Sequence, residues 1–342
     1  MKQVVVDRFL RENESIPIVD VRSPKEFEEG HICGAINIPL LGNSEREIIG
    51  TLYKQEGKES AVVKGYELVN PQKEALLDRA HRVHRREGLR IYCWRGGMRS
   101  NKMAELFEST DIACEVLIGG YKAFRKELHL AFQDLPRLVV LDGKTGSGKT
   151  AVLHALGRLG EQVLDLEGYA RHRGSAFGSV GLGPQPTTAQ FQNNLFRVLR
   201  QFDGKARIWV ECESHNIGKV YLPESLWEAM LVAPAIEMLI EKEIRIGRLV
   251  QEYGQFPVEE LQRATLRIQK RLGGKRTEEV IEKLERGALG EVASVLLTYY
   301  DKSYGNSLKR FSPKVKFPWE SHSLNDEENA RALIQFANEN GL

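Results

Sequence analysis

The segment Gly143-Lys144-Thr145-Gly146-Ser147-Gly148-Lys149-Thr150 constrains this chain more than any other. It fits G-x-x-x-x-G-K-[ST] at every fixed place. It also follows the apolar run Leu138-Val139-Val140-Leu141 and precedes the helical pattern Ala151–Leu156, the context such a loop needs. Glycines let backbone N–H groups turn inward around an anion, and the helix N-terminus adds its partial positive charge. Lys149 meets the outer phosphate and Thr150 reaches toward a metal ion. Gly143, Gly146, Ser147, Gly148, Lys149 and Thr150 are therefore the predicted diphosphate-binding residues, with room for Mg²⁺ at Thr150 and no metal ligand set defined. A glycine-rich turn that binds nothing would not account for the strand before it and the helix after it.

The motif names a di- or triphosphate and leaves the nucleotide open. Further strands are expected at 162–166, 206–211 and about 235–239, which with 138–142 make a parallel sheet flanked by helices. At the end of one of them, Glu211 and Glu213 read either as metal-orienting carboxylates or as a polar cap on a buried strand. A charged helical tail is expected from about 241 to 305. In it Glu241 and Arg245 stand four apart and can stabilise their own helix, while Arg245 and Arg248 can also close over phosphates as a lid.

The region before the loop repeats the alternation, with strands at 16–21, 89–92 and 115–118 and a helical turn at 24–29. Polar residues and a proline at Gln133–Pro136 mark the boundary, giving domains 1–133 and 134–342. The fold class is thus α/β twice over. With 342 residues, 42% hydrophobic and 28% charged, a two-domain soluble chain needs no disulfide or metal to hold a core. No apolar run approaches the ~18 residues of a membrane span, and charge interrupts Met1–Asp7 too early for a signal peptide, so the expected location is the cytoplasm with no membrane partner. The four cysteines, Cys33, Cys93, Cys114 and Cys212, show neither C-x-x-C nor zinc spacing. A net charge of +2 selects no partner, but Arg79–Lys102 carries eight Lys/Arg against Glu87 alone, and Arg263–Arg276 carries six with no acid. Solvated helix faces and phosphate-rich partners both fit these runs.

Cys93 differs from the other cysteines. It ends a strand, and Trp94-Arg95-Gly96-Gly97-Met98-Arg99-Ser100 turns from it into an apolar-periodic helix. Such a turn aims N–H groups at sulfur, and the helix dipole with Arg95 and Arg99 favours the thiolate, so an accessible nucleophile of low pKa is expected. Cys33 and Cys114 lack such a loop and read as small buried hydrophobes.

The stretches Ile18–Pro24 and Glu26–Pro39 resemble the front motifs of a rhodanese domain, Cys93–Ser100 its active-site loop, and Ile118–Phe124 its ending. Five residues separate Cys93 from Arg99, one more than in the common sulfur-transferring loop, a length that also resembles cysteine phosphatases of that superfamily. The fusion of this domain to a P-loop NTPase-like domain resembles the tRNA 2-selenouridine synthase family. The likeness extends through Glu45-Arg46, Gly50–Lys54, Asp165–Gly178, Gln190–Leu195 and Val210–Gly218.

That resemblance implies a transferase acting on wobble 2-thiouridine (U34) in the anticodon loops of tRNAs for Lys, Glu and Gln. Geranyl diphosphate and then selenophosphate would be the co-substrates, and 2-selenouridine the product. It implies a diphosphate at Gly143–Thr150 and selenium carried by Cys93 as an S-selanyl group, with Trp94, Arg95, Gly96, Gly97 and Arg99 supporting the loop. Trp94 can stack on the flipped base or simply pack its loop. His172 and Arg173 touch diphosphate or tRNA, or else make polar loop contacts. His31 fastens its own turn. Arg263, Arg267, Lys270, Arg271, Lys275 and Arg276 are candidates for the tRNA backbone. Two other classes compete. A cysteine phosphatase fits the five-residue spacing but finds no carboxylic acid in the loop. A P-loop ATPase or kinase coupled to sulfur relay would turn over ATP with Mg²⁺. An RNA-binding scaffold without catalysis leaves the intact Cys93 and Lys149 unexplained.

Overall fold

Strands buried on both faces read as continuous apolar runs, and two such runs, Leu89–Tyr92 and Leu138–Gly143, centre two separate parallel sheets. The computed structural model describes residues 1–11, 16–135, 137–308, 315–321 and 323–342, the side chains of 303–308 excepted. Pro136 of the expected boundary lies outside the described residues. The chain divides into two compact units, Met1–Ala131 and Phe132–Leu342.

In the first unit the strand order is Lys2–Val4, Cys114–Leu117, Leu89–Tyr92, Ile18–Asp20, Ile36–Asn37, with every neighbour parallel. Val19, Ile38, Leu89, Ile91, Met103 and Phe107 fill its core. The two outer strands, three and two residues long, escape a periodicity search because so few residues show no alternation. Between the sheet's last edge and its centre the chain inserts the helices Asn43–Gln55, Lys58–Val69 and Lys73–Val83.

The helical turn Pro24–Glu29 starts with a reciprocal cap: Ser23 Oγ accepts the Glu26 N–H while Glu26 accepts the Ser23 N–H. Beside it, Arg22 is 1% and Asp20 0% exposed, and the guanidinium donates to both carboxylate oxygens, at 3.0 Å from Nε and 2.6 Å from Nη2. Arg22 also donates to the Gly30 carbonyl at 2.7 Å, and its charge lies 4.1 Å from the centre of the Tyr121 ring. Removing one partner of a buried pair strands the other charge away from water. Arg22→Ala is therefore expected to destabilise this unit by about 3–5 kcal/mol. The check is the denaturant midpoint of the full chain; a loss below about 1 kcal/mol would mean that Asp20 finds another partner.

The second sheet runs Val315–Glu320, Pro234–Leu239, Leu138–Gly143, Ile208–Glu211, Gln162–Leu164, again all parallel. The phosphate-loop strand is central, so Gly143 leaves from the carboxyl end of the middle of the sheet, where open α/β sheets place ligands. Helices Lys149–Arg158 and Asp326–Glu339 pack on it through Val152, Leu153, Leu156 and Leu333.

The expected strand 162–166 stops at Leu164, because Asp165 turns to cap the short helix Leu166–Ala170 by accepting the Gly168 N–H. The helical tail expected over 241–305 is present and consists of five helices, Lys242–Tyr253, Val258–Arg267, Gln269–Leu272, Gly274–Glu285 and Leu289–Leu308. Pro257 and the positive-φ glycines Gly273 and Gly287 break it. These helices surround a core of their own, with Phe177, Leu261, Ile268, Val280, Leu284 and Val292. No helix among the described residues is long and apolar enough to cross a membrane.

Candidate functional site

The loop Gly143–Thr150 takes its shape from glycines at φ 154°, 78° and 83° (Gly143, Gly146, Gly148). A Cβ on Gly148 would stand 2.4 Å from Nη1 of Arg248, so the Arg248 guanidinium lies against the loop backbone here. Asp142, fully buried, fixes the loop's root by accepting the Gly143 N–H at 2.8 Å and the Lys316 ammonium at 2.5 Å. Lys149 Nζ donates to the Gly143 carbonyl at 2.7 Å, and Thr150 Oγ1 donates to Glu167 at 2.7 Å. Ser147 Oγ is buried without a partner. The loop opens on a cleft of about 760 Å³ that Glu167, Arg173, Ser175, Glu213, Arg248 and Glu252 also line. Among the described residues, no group of three or more His, Cys, Asp or Glu side chains is arranged to hold a metal ion.

Three carboxyls crowd one end of this region. Glu211 is fully buried; one oxygen accepts the Glu167 N–H at 2.6 Å and the other has no partner. Burial first, and nearby Asp165 next, hold its proton on well above the usual range. Glu213 lines the cleft and is pushed up to about 8, by lost solvation and then by the Glu167 carboxylate, against the pull of Lys149. Glu167 thus accepts from Thr150 on one side and from protonated Glu213 on the other.

The sign of the pH effect follows. Between the ordinary carboxylate value of 4.5 and about 8, the folded chain holds a proton that the unfolded chain has released, so stability falls as pH rises through that window. Glu213→Gln is expected to flatten this fall and to raise the thermal midpoint above wild type at about pH 8. A pH profile with unchanged slope would assign the proton elsewhere.

Arg245 and Arg248 sit on the helix Lys242–Tyr253, directly over the loop. Arg245, 3% exposed, pairs with Asp301 at 2.7 Å and donates to the Thr145 carbonyl at 3.2 Å. Its partner is therefore not Glu241, whose place is the helix N-cap, and its charge is spent on holding the loop. Arg248 lines the cleft beside Gly148 while pairing with Asp326 at 2.7 Å. Arg173 lines the cleft too and pairs with Glu252 at 2.7 Å. His172 does not line it; its Nδ1 is buried without a partner beside Gly178, and burial lowers its pKa. Arg263, Arg267, Lys270, Arg271, Lys275 and Arg276 are all exposed on the three helices between 258 and 285, and Arg267 donates to Ser179 at 2.8 Å.

Cys93 follows its strand into the core instead of standing open. It is 4% exposed and packs with Val19, Ile91 and Met103, and its Sγ lies 3.2 Å from Ser100 Oγ. This corrects the expected accessibility: the loop must shift before the thiol meets an electrophile. Arg99 does not face the thiol alone either, since Glu26 holds its guanidinium at 2.7 and 3.2 Å. Arg95 is exposed, and Trp94, 41% exposed, lies 5.7 Å from the Tyr121 ring.

Gly96 and Gly97 form the bend. A Cβ on Gly96, at φ 62°, would come within 2.3 Å of the Leu117 carbonyl oxygen, and one on Gly120 within 2.4 Å of the Gly96 nitrogen. That close approach is why Gly119-Gly120 accompanies the cysteine loop. His31 Nδ1 lies 2.9 Å from the Phe27 carbonyl and stacks on the Phe27 ring, fastening its turn. Cys114 is buried, whereas Cys33 is only half-buried.

Sequence reasoning missed Asp142, Glu167 and Lys316. Glu167 falls in a quoted motif, but nothing local says that it receives the Thr150 hydroxyl. Lys316 reaches Asp142 across 174 positions and depends on the strand order.

A family model described as "tRNA 2-selenouridine synthase AAA domain" matches residues 136–331, and one described as "Rhodanese-like domain" matches 5–127. The tRNA 2-selenouridine synthase of Nitrosomonas europaea is 33% identical over 332 residues, 94% of this chain and 83% of that one. That of Hydrogenovibrio crunogenus is 33% identical over 351 residues, 92% and 95% of the two chains. Among solved structures, the N-terminal domain of a putative ATP/GTP binding protein from Clostridium difficile 630 is 35% identical, covering 37% of this chain and 98% of that one, with a TM-score of 0.35.

Proposed function

The chain belongs to the tRNA 2-selenouridine synthase family, enzymes of tRNA modification, and on that footing we propose how its two loops share one conversion. A wobble 2-thiouridine of the tRNAs for Lys, Glu and Gln exchanges sulfur for selenium in two steps. In the first, the thiocarbonyl sulfur attacks C1 of geranyl diphosphate. An S–C bond forms, the C–O bond to diphosphate breaks, and the base gives up its N3 proton. Negative charge grows on the departing diphosphate, where the N–H groups of Gly143–Thr150 and the Lys149 ammonium are already set. Thr150 and Glu167 are the oxygen donors that would hold a Mg²⁺ ion with it.

In the second step, selenium from selenophosphate attacks C2 and the sulfur leaves as geranylthiol. Alkylation makes that departure feasible, because the sulfur leaves as a thiol. Selenium keeps one oxidation level from selenophosphate to product. An S-selanyl Cys93 would need a two-electron oxidant to form from selenophosphate and a two-electron reductant to return its selenium to the base. The step that needs no reductant has the Cys93 thiolate attack phosphorus: the S–P bond forms, the P–Se bond breaks, selenium stays on C2, and water hydrolyses the thiophosphate. The five residues between Cys93 and Arg99 favour an electrophile of phosphoryl size.

What carries this reading is that one chain holds a complete phosphate loop and a complete cysteine loop. The experiment is to give the protein a 2-thiouridine anticodon stem-loop and geranyl diphosphate, then selenophosphate, and to follow the base by mass spectrometry. S-geranylation followed by selenium incorporation supports it; ATP turnover with indifference to geranyl diphosphate overturns it.

The exposed cations at 263–276 are the proposed backbone contacts. Replacing Lys270, Arg271 and Lys275 by Ala is expected to reduce the slope of log affinity against log salt by roughly 2–3. An unchanged slope would put the tRNA on another face.

A further inference from the structure

The phosphate cleft has an apolar neighbour. A chamber of about 60 Å³ lies inside the helical block, walled by Phe177, Leu261, Leu284, Val292 and Leu296. Thr145, Ser175, Leu249, Tyr253 and Tyr300 line both spaces, so the chamber adjoins the cleft at the phosphate loop itself. The packing there is close: a Cβ on Gly146 would touch Leu249 at 3.1 Å and the Arg245 carbonyl at 3.2 Å. A nucleotide's sugar and base would need polar partners beyond the phosphates, and this wall supplies almost none. A hydrocarbon chain needs only apolar surface withdrawn from water.

We infer that this chamber takes the hydrocarbon chain of the diphosphate donor, so that the helices Lys242–Tyr253 and Leu289–Leu308 form its chain-binding half. The inference rests on the donor reading above and adds where the chain lies. As it stands, the chamber is smaller than the ~150 Å³ cavity that admits benzene, so a geranyl chain enters only as these helices part. Ala293, buried in the wall, is the position where added bulk fills the space.

Binding of inorganic diphosphate and of dimethylallyl, geranyl and farnesyl diphosphates to the full chain, by calorimetry, tests this. The expected result is a gain of at least about tenfold from inorganic diphosphate to geranyl diphosphate. Ala293→Phe should erase that gain while leaving inorganic diphosphate within about twofold, and Leu296→Ala should move the preference toward farnesyl. A geranyl diphosphate analogue with a diazirine at the chain end, photolysed on wild type, should label the peptide holding Ser175 and Phe177 or peptides between 249 and 300. This keeps the test open if Ala293→Phe does not fold. Labelling elsewhere, or a geranyl preference unmoved by both variants, overturns the chamber assignment while the donor reading stands. No geranylation of the stem-loop by wild type overturns the donor reading itself.

Discussion

Cys93→Ala chain is expected to geranylate a 2-thiouridine stem-loop within about twofold of the wild-type rate, yet to make 2-selenouridine at least about 10³-fold more slowly. The two loops lie in separately folded units, so loss of one nucleophile leaves the other chemistry in place. Mass spectrometry reads the arrested base directly. Accumulation of a base bearing phosphorylated selenium means that the thiolate acts at phosphorus. Arrest at the S-geranyl base means that the thiolate acts earlier, on selenophosphate itself: the S–P bond forms, the P–Se bond breaks, and the selenide released attacks C2 with no change of oxidation level. If Cys93→Ala blocks geranylation, the division of steps between the units is wrong. Because the thiol is only 4% exposed, the wild-type second step should also depend on how readily the Trp94–Arg99 loop shifts.

Lys149→Ala is expected to fail one step sooner. The ammonium sits 2.7 Å from the Gly143 carbonyl, held where a diphosphate oxygen would take its hydrogen bond. A hydrogen bond to a charged group contributes about 1.5–3 kcal/mol, so inorganic diphosphate should bind roughly 10–150-fold more weakly. Geranylation should fall further than binding does, because Lys149 also meets charge that appears only as the C–O bond breaks. Selenium transfer from selenophosphate to a stem-loop that already carries the S-geranyl group should be unaffected. Equal loss of both steps would contradict the assignment.

The residues that sequence alone makes legible are those whose chemistry is local. Gly143–Thr150 and Cys93–Arg99 each lie within eight positions, and backbone geometry over such a span follows from glycine placement. The partners of those loops do not lie nearby. Arg99 is claimed by Glu26, Arg245 by Asp301 and Asp142 by Lys316, and each pairing exists only once strands and helices have taken their places. Arg245 shows the cost: read along its helix it pairs with Glu241, but in the fold the carboxylate within reach belongs to Leu289–Leu308. The same holds for Cys93, whose strand carries it into a core that the loop's glycines do not disclose. The helical tail was legible as helical, but its division into five helices was not. Its charge pattern is helical throughout, and only Pro257, Gly273 and Gly287 mark the corners.

The helical block leaves the sheet after Leu239 and the chain rejoins it at Val315, on the adjacent parallel strand, with Ile236 facing Phe317. Because the strands are parallel, Leu239 faces Glu320 while Val315 faces Pro234, so the excursion leaves one end of this strand pair and returns at the other, about 17 Å away, joined to the sheet only at those two points. A stretch attached in that way behaves as a cassette. Evolution or an engineer can lengthen it, trim it or exchange its apolar lining without re-threading the strands that hold the anion, so the appetite for a longer or shorter tail and the chemistry at the head group can be retuned separately.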